Sequence, residues 1–88
     1  MYKLAYAKSF KKDIKKLSKK DTDAVFEVLA KLAAGEPLES KFKDHALKGE
    51  LAGYRDCHVL PDLVLIYQKL DDLLILRAVR TGSHSELF

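Results

Sequence analysis

Alternation and helical spacing mark six elements along the chain and one segment that follows neither period. Residues 2–6, YKLAY, alternate and predict a first strand. From Ser9, read as a helix cap, Phe10, Ile14 and Leu17 fall at i, i+4 and i+7 as one apolar stripe, with Lys8, Lys11, Lys12, Lys15 and Lys19 on the other side. SKKD breaks this pattern. Asp21 or Thr22 then caps a second helix with Val25, Val28, Leu29 and Leu32 at helical spacing, ended by Gly35 and Pro37. Residues 36–53 follow neither period and predict an extended loop, where binding residues tend to sit. Three strands follow, at 54–60, 63–69 and 73–80, with turns at Pro61-Asp62 and Asp71-Asp72. The middle one, LVLIYQK, is apolar on both faces, as in a strand covered on both sides. The order predicts a single α+β domain over residues 1–88: an N-terminal strand, a two-helix hairpin lying across a sheet, and a three-stranded antiparallel meander.

Eighty-eight residues suffice for one modest core and leave no room for a second folded unit. Runs such as LVLIY are too short to span a bilayer, and the first twenty residues lack the apolar stretch of a signal peptide. The expected location is therefore the cytoplasm, with no membrane partner. The single cysteine, Cys57, has no partner for an internal disulfide and is expected to be a reduced core residue. Charge changes the picture more. Residues 1–20 carry eight lysines against Asp13 alone, whereas the rest of the chain carries eight Lys/Arg against twelve Asp/Glu. A positive field concentrated at one end attracts a polyanion such as nucleic acid, with binding that weakens as salt rises.

His45, His58 and His84 are the residues whose type suits proton transfer near neutral pH, and each has Lys or Arg and a carboxylate close in sequence. On a strand over 54–60, Tyr54, Asp56 and His58 share one face, while Arg55, Cys57 and Val59 share the other. Cys57 and His58 thus cannot ligate one metal together from a regular strand, and no C-x-x-C or H-E-x-x-H spacing supports a zinc site. A zinc site of three histidines and a carboxylate is the competing reading of these residues, and no Gly-rich phosphate loop suggests a nucleoside-triphosphate enzyme; the expectation is no metal and no cofactor. The inventory fits metal-free RNA cleavage. Attack of a 2′-hydroxyl on its neighbouring phosphate needs a base, an acid for the leaving 5′-oxygen, and cations for the charge on phosphorus. Histidine and carboxylate supply the first two, and Arg80 or Arg55 the third. An exposed Phe88 beside His84 would stack on a base.

The stretches FKDHALKG, GYRDCHVLPDLVLIY and RTGSHSELF resemble the YafQ-like branch of the RelE/ParE superfamily, the toxins of bacterial type II toxin–antitoxin pairs. The resemblance implies a RelE-like fold and an endoribonuclease that cuts messenger RNA in the ribosomal A site without a metal. It implies an active site of His45, His58, Asp62, Arg80, His84 and Phe88, with His84 as general acid and Arg80 as phosphate clamp; the base is left open among His58, Asp62 and His45. It also implies that the lysines of the first helix region, Lys8, Lys11, Lys12, Lys15, Lys16 and Lys19, contact ribosomal RNA, joined by Arg55. A cognate antitoxin would mask this basic surface, and operator DNA would be bound only through the complex. Leu63 departs from the pattern in which an aromatic follows Pro-Asp, which leaves base stacking to Phe88. Two other readings compete: a ParE-like inhibitor that binds DNA gyrase without catalysis, and a plain basic RNA-binding module.

Overall fold

The run that is apolar on both faces becomes the middle strand of a five-stranded sheet. In the computed structural model, which describes all 88 residues, the chain runs β1 (Lys3–Tyr6), α1 (Lys8–Ile14), α2 (Lys19–Ala33), β2 (His45–Ala46), β3 (Arg55–Leu60), β4 (Leu63–Leu70), β5 (Ile75–Gly82) and α3 (His84–Leu87). The strand order is β1-β5-β4-β3-β2. The short turns after β3 and β4 make the last three strands an antiparallel meander, whereas β1, returning by way of the helices, pairs parallel to β5. Phe10 of α1 and Val25, Val28, Leu29 and Leu32 of α2 bury one face of the sheet against Cys57, Leu65, Tyr67, Leu76 and Ala78. The α+β class and the hairpin across the sheet are as expected.

Several local expectations need correction. Ser9 does not cap α1: the helix starts after Ala7, and the Ser9 hydroxyl instead donates to the Val79 carbonyl at 2.6 Å. Ser18, rather than Asp21 or Thr22, caps α2, its hydroxyl accepting from the Asp21 N–H at 3.1 Å. Lys15 and Lys16 fall in the turn between the helices. The stop at Gly35 holds. Its φ of 80° lets the Gly35 and Glu36 N–H groups reach the Leu32 and Lys31 carbonyls, closing the helix end. Residues 36–53 contain a two-residue strand, β2, and the chain ends in a short helix, so the sheet has five strands rather than four. The last strand starts at Ile75 instead of residue 73, because Asp71–Leu73 form a 3-10 turn closed by Leu74 at φ 51°.

One irregularity in β5 decides which way Arg80 points. Ile66 pairs with Arg80 but Tyr67 pairs with Ala78, so Val79 is an extra residue bulged out of β5. Without it, alternation would turn Arg80 to the same side as Ala78, into the core; with it, Arg80 faces the opposite side.

Candidate active site

On the sheet face away from the core, the register sets His45 of β2, Asp56 of β3, Ile66 of β4 and Arg80 of β5 in one row. The next row holds His58, Val64 and Gly82. Val64 and Ile66 are buried and give the face an apolar floor. Beyond Gly82, Ser83 starts α3: its hydroxyl accepts from the Glu86 N–H, and the Glu86 carboxylate accepts from the Ser83 N–H at 3.0 Å and from the Ser83 hydroxyl at 2.8 Å. These bonds hold the Glu86 carboxyl below the usual carboxylate range. Gly82 lets this turn fold back, since a Cβ there would lie 3.3 Å from Glu86 Oε1 and 3.6 Å from Leu87. His84 and Phe88 are thereby presented side by side, both exposed, with ring centroids 4.8 Å apart.

The structure adds two residues that the sequence reading did not assign to the site. Asp56 is 4% exposed. Burial pushes its carboxyl up from the ordinary aspartate value, while the positive charge of His45, His58 and His84 acts in the opposite direction and Asp44 adds to the rise. His45 pairs with Asp56 across the sheet, His58 shares its strand face, and the charge of His84 is near enough to act on it. Its signal was present in the sequence, in the shared strand face with His58. His45 Nδ1 lies 3.1 Å from Asp56 Oδ1, but its hydrogen bond is to the Lys43 carbonyl at 2.7 Å, which leaves Asp56 Oδ1 without a hydrogen-bond partner. Since a carbonyl only accepts, His45 Nδ1 carries a hydrogen, so that in the neutral tautomer the lone pair is on Nε2.

The second addition is Asp13, whose carboxylate sits where β1 stops pairing with β5. It accepts from the Thr81 N–H at 3.0 Å and from Arg80 Nε and Nη2 at 2.7 and 3.3 Å. This pair fixes the guanidinium across the face and raises its pKa further. No periodicity argument finds a carboxylate on a lysine-rich helix. Arg55, by contrast, is not brought to this face. It lies on the core side of β3, its guanidinium 3.3–3.4 Å from Asp44, which also accepts from the Tyr67 hydroxyl. Asp62 sits in the exposed β3–β4 turn without a side-chain hydrogen bond. Lys8, Lys11, Lys12, Lys15, Lys16 and Lys19 are all exposed; Lys19 pairs with Asp23 at 3.0 Å, and Lys16 is near enough to favour the charged form of Glu86, so the basic surface adjoins α3.

Cys57 is fully buried, and burial pushes its thiol up to about 12. It should resist an alkylating reagent in the folded protein and react at an ordinary rate in denaturant, as mass spectrometry of the labelled chain would read out. Rapid labelling under native conditions would show that the core opens at this strand.

A buried carboxylate near three imidazoles, an anchored guanidinium and a basic flank thus share one face of a small α+β domain. The chain matches, over residues 2–88, the family described as the bacterial toxin of type II toxin–antitoxin systems, YafQ, and it belongs to that family. It is 41% identical over 88 residues to the mRNA interferase toxin YafQ of Escherichia coli K12, covering 97% of this chain and 94% of that one. Its fold is similar to that of a metal-bound toxin from Helicobacter pylori, with 46% identity, a TM-score of 0.89 and full coverage of both chains. It is likewise similar to YafQ in the E. coli DinJ–YafQ complex, with 37% identity, a TM-score of 0.87, and 100% and 99% of the two chains covered.

Proposed function

We propose that this chain, an mRNA interferase toxin of a type II pair, cuts messages in the ribosomal A site by metal-free acid–base catalysis on the face of β2, β3 and β5. The observation that carries this reading is the convergence of His45, His58 and His84 on Asp56 in the row that ends at Arg80. His45 suits the base, since its Nδ1 is committed to a carbonyl and Nε2 is free to take the 2′-hydroxyl proton. The 2′-oxygen then bonds to phosphorus, the bond from phosphorus to the 5′-oxygen breaks, and His84 gives that oxygen its proton. Arg80, held by Asp13, faces the charge that develops on the phosphate oxygens. Phe88 offers a half-exposed ring to a neighbouring base. Asp56 acts through the histidines as a positioning residue. The lysines of α1 and the following turn meet ribosomal RNA, and a cognate antitoxin, as DinJ is to YafQ, covers the toxin and carries it to operator DNA. No helix is long and apolar enough to cross a membrane, in keeping with a cytoplasmic site of action.

The test is primer extension on a message carried by translating ribosomes, with a chelator present and a ribosome-free reaction in parallel. Codon-phased cuts that need ribosomes and survive the chelator are expected. Growth arrest on expression without any cut would overturn the reading in favour of a gyrase-type binder.

A further inference from the structure

β2 pairs only with Arg55 and Asp56, so the second half of β3 has no strand neighbour on its outer side. There, α2, the Ser40–Phe42 turn and the β3–β4 turn enclose a cleft of about 510 Å³, within the range of small-ligand sites. His58 is among its lining residues and also belongs to the sheet face that carries His45 and Asp56. Lys31, Lys41 and Lys43 line it against a single carboxylate, Glu27. The Nζ atoms of Lys31 and Lys41 lie 5.4 and 5.2 Å from the centroid of the Phe42 ring, within the reach of cation–π attraction. None of the three lysines is in an ion pair. Lys43 also ties the cleft to the chemistry, because its carbonyl is the acceptor that orients His45.

We infer that this cleft binds single-stranded RNA on one side of the scissile phosphate, Lys31, Lys41 and Lys43 neutralising the phosphates of the flanking nucleotides. The inference rests on the interferase reading. Unpaired ammonium groups suit a phosphate backbone, and continuity with His58 and His45 places the cleft where a strand leaving the catalytic face must pass. An acidic protein segment would meet the same lysines but would have no reason to share His58 with the reacting phosphate.

The experiment compares oligoribonucleotides that carry a 2′-deoxy residue at the attacking position and are lengthened by two nucleotides on the 5′ or the 3′ side. Their affinities are measured by fluorescence anisotropy across a salt series for the wild type, for Lys31→Gln/Lys41→Gln/Lys43→Gln, and for the corresponding triple Lys→Arg variant. Lengthening on one side should tighten binding about tenfold for the wild type and the arginine variant, and not for the glutamine variant. The salt slope of the glutamine variant should fall by about 2, at roughly 0.7 per lost phosphate contact. An equal gain from lengthening in the glutamine variant, with the wild type still cutting ribosome-bound message, overturns the cleft assignment alone. A wild type that cuts no message overturns the interferase reading and the cleft with it. A glutamine variant that binds RNA normally but escapes inhibition by the cognate antitoxin gives the cleft to the protein partner and likewise overturns the inference.

Discussion

His84→Ala should slow single-turnover cleavage of ribosome-bound message by about 10²–10⁴-fold, the range expected for one proton-transfer group, while the melting temperature stays nearly constant. The two readouts separate because of how α3 is built. The backbone at residue 84 is placed by the Ser83–Glu86 capping box, in which the imidazole takes no part. The ring is exposed and its aromatic neighbour is Phe88, so removing it opens no cavity. The pH dependence of the cleavage step should flatten in the variant along with the loss of rate. RNA affinity, measured with the non-cleavable oligonucleotide, should change little, because the lysines of α1, the helical turn and the β3-edge cleft remain. A wild-type rate in this variant would remove His84 from the mechanism; a parallel loss of affinity and rate would make it a binding residue.

Alternation and spacing carried the sequence reading a long way where one period ran unbroken. LVLIY was covered on both faces because it is the central strand, and the Val25, Val28, Leu29, Leu32 stripe does face the core. Asp56 and His58 share a face as a regular strand requires. The misses have physical causes. A two-residue strand has no period to detect, so β2 was hidden although it positions His45 against Asp56. The Val79 bulge is settled by tertiary contacts, the Ser9 hydroxyl on its carbonyl among them, and no local residue type announces it. Yet it is what turns Arg80 to the face that carries His45, Asp56 and His58. Asp13 entered the sequence reading only in the charge count; its contacts with Arg80 and Thr81 exist only because α1 lies beside the end of β5. The roles of the individual histidines came from family resemblance, since spacing along the chain said only that three imidazoles were available.

Asp56→Asn should make the protein more stable at neutral pH and a poorer enzyme. The carboxylate is 4% exposed, one of its oxygens lacks a hydrogen bond, and burial outweighs the three histidines in raising its pKa above the ordinary 3.8. A carboxyl whose pKa is higher folded than unfolded binds more protons folded between the two values, so its contribution to stability falls as pH rises through that window and stays at its low level above. An orphaned buried polar atom costs about 1–3 kcal/mol, and about 1 kcal/mol corresponds to roughly 4–8 °C for a domain this size. Thermal unfolding should therefore show Asp56→Asn melting several degrees higher than wild type at pH 8, with the gap closing toward pH 4. Cleavage should fall by roughly 10–10³-fold, since the neutral amide no longer supports the charged imidazole that forms as the base takes its proton. Asp56→Asn with full activity and a lower melting temperature would make Asp56 a structural carboxylate. A higher melting temperature combined with lost cleavage is the pattern of a site that keeps an unfavourable buried charge for its chemistry.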